Sequence, residues 1–308
     1  MNRLLIIALL AFTACSTPES STNPYRDFGI TANNAFFYYD DLQAATDFYT
    51  NTLGIEIAAD YGFAKILHVA GSSFLTLVDA DSGMHSAEEP KTVALALITD
   101  ELEKWWDYLS STETEMRSEF NYREDRPHDG FVAIDPEGYL LEFERFNPHE
   151  ENAQFVPVLD RAETTMASGN VPEGIGFKAT VIWTYYNDLD SAMAFYENKF
   201  GLDMIVDQGW TKIYQTSPTG FIGLVDQERG MHRSTEQKGV TLSFWTDNID
   251  NWFAHASDTN GFALRSTEVN RNDRFHAFVG YDVEGYYLEF DHFLEHADNE
   301  ELLRAVGR

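Results

Sequence analysis

The chain has 308 residues, of which 44% are hydrophobic and 14% aromatic, so it can bury a sizeable core and is long enough for two domains. Asp and Glu outnumber Lys and Arg by 51 to 21, which gives a net charge of −30 and an isoelectric point near 4.4. A field of that sign repels phosphate backbones and anionic membrane surfaces, so nucleic acid is not expected as a partner.

The first residues carry a targeting pattern. Arg3 supplies a positive charge, residues 4–12 are an apolar run too short to span a bilayer, and small residues precede Cys15, the single cysteine of the chain. This pattern resembles a bacterial lipoprotein signal peptide covering residues 1–14, which implies that Cys15 becomes the lipid-attached first residue of the mature protein. Ser16 after it implies an outer-membrane lipoprotein facing the periplasm, and an ordinary secretory signal with an incidental cysteine is the alternative.

The remainder of the chain is an internal duplication that follows a polar, proline-containing stretch, residues 15–32, predicted to be a flexible tether. Paired segments recur at a constant offset of 147 residues: Phe48-Tyr49 and Phe195-Tyr196, Gly54 and Gly201, Lys65 and Lys212, Gly83-Met84-His85 and Gly230-Met231-His232, and Asp135-Pro-Glu-Gly-Tyr-Leu-Leu-Glu142-Phe143 and Asp282-Val-Glu-Gly-Tyr-Tyr-Leu-Glu289-Phe290. Asp125-Arg126-Pro-His128 matches Asp273-Arg274-Phe-His276 at an offset of 148 instead. The repeat predicts a first domain at 33–147, a linker at 148–175, a second domain at 176–294 and a helical tail at 295–308 packed on the second half.

Each half alternates between strand and helix periods in the same order, strand, helix and three strands, followed by the same order again. In the first half the predicted elements are strand 34–39, helix 41–51, strands 55–60, 64–69 and 74–79, strand 93–98, helix 101–110, and strands 116–122, 131–134 and 139–145. On the last strand Tyr139, Leu141 and Phe143 share one face, while Leu140 and Glu142 share the other. Glu142, like Glu289 in the second half, is therefore either a solvent-facing strand residue or a group lining a cup.

Two motifs in each half resemble the vicinal oxygen chelate superfamily, the group of glyoxalase I, bleomycin-resistance proteins and extradiol dioxygenases. The motifs are Asp41-Leu42, Ala45, Phe48-Tyr49 and Leu53-Gly54 with the stretch 135–143, and Asp188-Leu189, Ala192, Phe195-Tyr196 and Phe200-Gly201 with the stretch 282–290. The resemblance implies an α+β fold of tandem domains, each of two βαβββ modules forming an open, cup-shaped mixed sheet.

The resemblance also implies metal ligands on the first, fourth, fifth and eighth strands of a domain. Those positions fall on Asn34, Thr76, Val93 and Glu142 in the first half, and on Val181, Gly223, Val240 and Glu289 in the second. Catalytic divalent metals need about three ligands from His, Cys, Asp or Glu, and only the two glutamates qualify. No cofactor is therefore expected, extradiol-type iron chemistry is not expected, and a divalent metal held outside the family pattern is the alternative.

Further polar residues could equip the cups for catalysis. A converging Lys and Arg would clamp a substrate carboxylate, and a His beside a carboxyl of raised pKa would serve as base and acid. The candidate catalytic residues are Glu142, His128, His85, Lys65 and Arg126 in the first half, and Glu289, His276, His232, Lys212 and Arg274 in the second. The alternative for each cation is structural: a lysine with a buried stem, a turn-capping histidine, or a surface ion pair.

Aromatic residues alternate on the first strand of each half, and we take them with Asn34 as candidate ligand-binding residues: Phe36, Tyr38, Trp183 and Tyr185. Tyr139, Tyr286 and Trp210 are expected nearby. Such a wall suits a flat or sugar-like ligand, and a filled hydrophobic core is the competing interpretation.

The sequence leaves several functions open. The protein binds a small organic molecule, one that contains a carboxylate or sugar, or it is a lyase or isomerase of the glyoxalase type acting on a carbonyl or sugar-acid compound. A structural lipoprotein with vestigial cups is the third option. Because Asn34 is expected beside Glu142, the first cup is the preferred site.

Overall fold

The computed structural model describes residues 23–308 except 121, 123, 124, 259 and 260. The predicted signal peptide and Cys15 lie outside the described residues. The strands of the described part are β1 (Ala32–Tyr39), β2 (Glu56–Asp60), β3 (Ala64–Ala70), β4 (Ser73–Asp79), β5 (Val93–Ile98), β6 (Glu115–Met116), β7 (His128–Ile134), β8 (Leu140–Phe146), β9 (Thr165–Met166), β10 (Gly176–Phe177), β11 (Ala179–Tyr186), β12 (Met204–Asp207), β13 (Thr211–Gln215), β14 (Gly220–Asp226), β15 (Val240–Trp245), β16 (Asn270–Arg271), β17 (Phe275–Tyr281) and β18 (Tyr287–Phe293).

The helices of this part are α1 (Pro24–Phe28), α2 (Leu42–Asp47), α3 (Leu102–Leu109), α4 (Val156–Leu159), α5 (Leu189–Phe195), α6 (Ile249–Ser257) and α7 (Glu300–Ala305). A π-helical turn extends α2 over Phe48–Thr52 and α5 over Tyr196–Phe200. No helix in the described ranges is both long and apolar enough to cross a membrane.

The four predicted βαβββ modules are present, and each module of the first half shares a sheet with a module of the second half. Module 1 (β1–β4) and module 4 (β15–β18) share one eight-stranded sheet, in the order β16-β17-β18-β15-β1-β4-β3-β2. Module 2 (β5–β8) and module 3 (β11–β14) share the other, in the order β12-β13-β14-β11-β5-β8-β7-β6. The α+β class and the open mixed sheets of two βαβββ modules are confirmed, but each sheet takes one module from each half.

Two antiparallel strand pairs join the modules. β1 pairs with β15, with Asn34 opposite Ser243, and β11 pairs with β5, with Val181 opposite Ala96. One face of both sheets packs with the helices into a continuous core that contains Phe37, Trp105, Tyr196 and Trp252 among its largest side chains. The opposite face of each sheet forms a cup.

The repeated acidic turn connects the two modules of each half. Asp135 accepts hydrogen bonds from the hydroxyls of Tyr39 and Tyr49 at 2.6 and 3.1 Å and from the backbone N–H groups of Tyr139 and Glu137. Asp282 accepts the equivalent set, with the hydroxyl of Tyr186 at 2.7 Å. Four donors per buried carboxyl give this motif a structural role, since an unpaired buried carboxylate would cost several kcal/mol.

Three segments between or beyond the modules differ from prediction. The end of the predicted tether forms α1, which is capped by Asn23 and packs Phe28 edge-on against Trp252, so residues 24–28 are helical. The predicted linker contains the short helix α4. Its first residues resemble the tail, because Asn152 and Asn299 make equivalent bonds to the backbone before β7 and β17. The tail helix α7 packs Leu302 and Leu303 on modules 1 and 4 together rather than on the second half alone.

The offset of 148 residues near His128 does not extend into the strand. His128 lies opposite Phe146 and Phe275 lies opposite Phe293, so the residue equivalent to His128 is Phe275, at the usual offset of 147. A slip of one residue turns a side chain to the other face of a strand. His276 therefore points away from the cup, where it contacts Arg271 and His292.

Candidate functional site

The alternation along β8 and β18 turns the two repeated glutamates into the cups, as the sequence predicts. Leu141, Phe143 and their counterparts lie in the helix-side core, whereas Glu289 lines the cavity on modules 1 and 4 and Glu142 lines the one on modules 2 and 3. We call these the Glu289 cup and the Glu142 cup. Asn34 lies on β1 in the Glu289 cup, so the prediction that it accompanies Glu142 is wrong.

The Glu289 cup encloses a cavity of about 410 Å³. Its wall is mainly apolar and includes seven aromatic residues: Phe36, Tyr38, Tyr61, Phe63, Phe275, Phe278 and Phe293. Phe63 is 47% exposed although it is a large hydrophobic residue, and it lies in the turn between β2 and β3 at the mouth of the cavity. Exposed apolar surface beside a cavity is typical of a ligand-binding site.

Two carboxyls lie together in this cup. Glu289 and Asp291 are two residues apart on β18 and therefore share its cup face. Asp291 is 2% exposed and accepts a 2.7 Å hydrogen bond from the hydroxyl of Ser243. Burial first, and the charge of Asp291 second, raise the pKa of Glu289 well above its usual range, and burial also raises the pKa of Asp291. Both carboxyls therefore hold a proton more tightly than an exposed acid does.

The remaining polar groups of this cup bond to one another. The amide of Asn34 donates to the hydroxyl of Thr76 at 2.8 Å, and the hydroxyls of Tyr38 and Thr241 are 2.7 Å apart. Thr241, and not Val240, is the residue of β15 that faces the cup, because Val240 lies in the core. The expected fifth-strand position is therefore wrong by one residue, and the same holds for Val93 and Ala94 in the other sheet.

The Glu142 cup is smaller because aromatic side chains fill it. Its cavity is about 90 Å³, and Trp183 takes the place that Phe36 has in the other cup. A Cβ on Gly223 would lie 1.9 Å from the indole of Trp183, so glycine is required there, whereas Thr76 occupies the equivalent position beside Phe36. The guanidinium of Arg229 lies 5.0 Å from the ring centre of Trp210 and covers it.

A histidine compensates the acids of the Glu142 cup. Nδ1 of His128 lies 2.6 Å from Glu144, whose side chain is buried and whose second carboxyl oxygen has no partner in the described structure. Burial opposes the charge on His128, but the bond to Glu144, aided by Glu142, raises the pKa of His128 to about 9. Burial and the neighbouring Glu144 raise the pKa of Glu142 to about 8.

The predicted lysines do not reach the cups. Lys65 lies between Ala64 and Ile66, which line the Glu289 cup, and Lys212 follows Thr211, which lines the Glu142 cup. Both lysines therefore lie on the helix-side face of their strands, β3 and β13. Lys65 pairs with Asp60 at 2.6 Å, and Lys212 pairs with Asp207. The prediction that they clamp a substrate carboxylate or neutralise the cup glutamates is therefore wrong.

The other predicted cations lie behind or beside the cups. His85 is buried against Tyr38 and bonds Glu89 at 2.7 Å, and burial lowers its pKa. His232 packs against Tyr185, and burial lowers its pKa to about 4. Arg126 is exposed, and Arg274 pairs with Asp298 at 3.0 Å and lies 5.6 Å from the centre of the Tyr61 ring.

The aromatic predictions divide by strand face. Phe36, Tyr38, Trp183 and Tyr185 line the cups, as does Trp210. Tyr139 and Tyr286 do not, because they lie in the core, where each accepts a backbone N–H and donates to a carbonyl of another module. Asp291 and Glu144 were not among the predicted site residues, although an acidic residue two positions after each glutamate on an alternating strand is a usable signal.

Comparison with known proteins agrees with this architecture. Residues 11–143 match the model of the Glyoxalase/Bleomycin resistance protein/Dioxygenase superfamily. This chain contains a domain of the vicinal oxygen chelate superfamily. Its fold is similar to a putative dioxygenase from Bacillus subtilis subsp. subtilis str. 168 (15% identity, 90% of each chain covered, TM-score 0.64) and to glyoxalase I from Zea mays (14% identity, 89% of this chain and 94% of that chain, TM-score 0.59). No curated protein sequence matches the chain significantly.

The vicinal oxygen chelate metal site does not fit the residues of these cups. Among the described residues, no group of three or more His, Cys, Asp or Glu side chains is placed to hold a metal ion. In the Glu289 cup the amide of Asn34 is bonded to Thr76, and the fifth-strand residue is Thr241. In the Glu142 cup the corresponding residues are Val181, Gly223 and Ala94, which offer no ligand side chain.

The raised carboxyl pKa values predict that the protein is less stable at about pH 8 than at about pH 5.5. In the folded state the pKa of Glu142 is about 8 and the pKa of Asp282 is about 6, so both carboxyls keep a proton at pH 5.5. In the unfolded chain the same carboxyls release their protons near pH 4. The contribution of these groups to stability is therefore fully present below the pKa of the unfolded chain and is lost as pH rises through the folded values.

Thermal melts of wild type and Glu142→Gln across this range measure the effect. Glu142→Gln should flatten the pH dependence, with the difference growing towards pH 8, whereas Glu88→Gln, at an exposed position, should follow the wild type. A wild-type melting temperature that rises towards pH 8 contradicts the assignment.

Proposed function

We propose that the protein binds a small organic molecule in the Glu289 cup. The observation that supports this function is a cavity of about 410 Å³ with an aromatic wall and a small number of polar groups at its base. Small-molecule sites combine these properties: a concave apolar wall that supplies most of the contact area and a few polar groups that fix orientation.

The Glu289 cup is preferred to the Glu142 cup on volume and on the state of its polar groups. The Glu142 cavity, at about 90 Å³, leaves little room beyond Trp183, and its acids already have His128 as a partner. The sequence favoured the Glu142 cup because Asn34 was expected there. With Asn34 on β1 of the other sheet, that reason now applies to the Glu289 cup.

Binding is favoured over turnover because the cations assigned to catalysis do not converge on this cavity. Lys65 is paired on the opposite face of its strand, and His276 points away from the cup. Among the described residues that line the cavity, none is Lys, Arg or His. Glu289 and Asp291 could exchange a proton with a substrate, but the cation that would hold a substrate carboxylate beside them has no candidate in this set.

We also propose, from the sequence alone, that the protein is a cell-envelope lipoprotein anchored through Cys15. In a bacterial host, wild type should fractionate with membranes, because several acyl chains bind a bilayer firmly. Cys15→Ser should move to the soluble fraction. Retention of Cys15→Ser in the membrane fraction contradicts the anchor.

Filling the cavity should abolish ligand binding. Val78 lines the Glu289 cup and Val225 lines the Glu142 cup at the equivalent position, so Val78→Phe and Val225→Phe form a matched pair. A thermal-shift screen of small aromatic and apolar molecules should give stabilising hits with wild type and Val225→Phe that are lost with Val78→Phe. Circular dichroism confirms that each variant is folded. Hits that survive in Val78→Phe but vanish in Val225→Phe would place the binding site in the Glu142 cup and contradict the proposal.

A further inference from the structure

We infer that the ligand of the Glu289 cup carries a basic nitrogen on an apolar, aromatic body, with its ammonium group placed against Glu289 and Asp291. This inference rests on the proposed function, since it names the chemical class that the same cavity takes. It departs from the expectation of a carboxylate-containing or sugar-containing ligand, because no cation lines the described cavity.

The acid pair has no cationic partner within the described protein. Asp291 bonds Ser243 and Glu289, and no Lys, Arg or His of the described residues lies within ion-pair distance of either carboxyl. Arg274, which lies over the ring of the cavity-lining Tyr61, is paired with Asp298. Buried carboxyls in that situation hold a proton or attract a cation.

The duplication supplies an internal comparison. The Glu142 cup has acids at the same two strand positions, and there His128 provides the positive charge at 2.6 Å from Glu144. The strand register puts Phe275 at the position of His128 in the Glu289 cup. One cup therefore contains its own cation, whereas the other replaces that cation by a phenyl ring and leaves an open cavity beside the acids.

The walls of the cavity fit the rest of such a molecule. Phe36, Tyr61 and Phe275 line the cavity, and aromatic side chains attract an ammonium group and stack on a flat apolar body. A ligand carboxylate would meet two acids and no clamp. The net charge of −30 also draws cations and repels anions over the whole surface.

Three probes of nearly equal shape test the class: 1-naphthylmethylamine, 1-naphthylmethanol and 1-naphthoate. Titration calorimetry on the folded chain should show the amine binding at least about tenfold more tightly than the alcohol, and the carboxylate binding most weakly. Val78→Phe should remove binding of all three, which ties the signal to this cavity.

Variants then locate the preference. Glu289→Gln and Asp291→Asn should lower the ratio of amine to alcohol affinity to about threefold or less, whereas Glu142→Gln should leave it unchanged. Phe275→His, which introduces the imidazole of the other cup, should lower the ratio in the same way and serves if the acid variants fold poorly.

The outcomes separate the two proposals. Equal binding of amine and alcohol, unaffected by Glu289→Gln, overturns the ligand class and leaves small-molecule binding in the cup intact. Tighter binding of the carboxylate overturns it as well. If none of the three probes binds and no hit is lost in Val78→Phe, both the ligand class and the proposed function fail.

Discussion

The antiparallel pairing of β1 with β15 and of β5 with β11 determines which residues can act together in this protein. Each pair joins a strand from the first half to a strand from the second, so each cup is shared by both halves. Asn34 therefore meets Ser243 instead of Ala96, and Glu289 shares a cavity with Phe36 instead of Trp183. The two strand pairs also align the helix-side faces of all four modules into one core, which makes neither half an independent unit of packing.

The most strongly repeated residues serve this architecture. Asp135 and Asp282 bind two tyrosine hydroxyls each, and Tyr139 and Tyr286 bridge backbone groups of different modules. The cups, by contrast, have diverged at positions that change volume and charge. Gly223 admits the indole of Trp183, where Thr76 faces the smaller Phe36, and His128 neutralises acids where Phe275 cannot. Duplication with divergence has left one cup filled, with a histidine beside its acids, and the other open, with an acid pair that has no cationic partner in the part of the chain that the structure describes.

Much of the fold could be predicted from the sequence because its signals are local. Alternation on β8 and β18 correctly predicts that Glu142 and Glu289 face the cups, and the helix positions follow from apolar spacing. Strand pairing between halves is long-range and leaves no local signal.

Errors of one residue in the predicted strand positions changed the predicted site most, because successive side chains of a strand point to opposite faces. Lys65, Val240 and His276 each lie one position away from a residue that lines the cup, and spacing arguments based on flanking helices and loops do not fix register to that accuracy.

Disulfide trapping tests the shared cups most directly, because the chain has a single natural cysteine that Cys15→Ser removes. In that background, Asn34→Cys with Ser243→Cys places thiols on facing residues of β1 and β15, where antiparallel partners have Cα atoms about 4.5–5.5 Å apart, within disulfide range. Asn34→Cys with Ala96→Cys is the matched control, because it would join β1 to β5 if each half closed its own cup. If the cups are shared between the halves, mild oxidation of folded protein forms the 34–243 disulfide, seen by peptide mass spectrometry, and leaves the 34–96 pair reduced. A 34–96 disulfide with no 34–243 disulfide would contradict it.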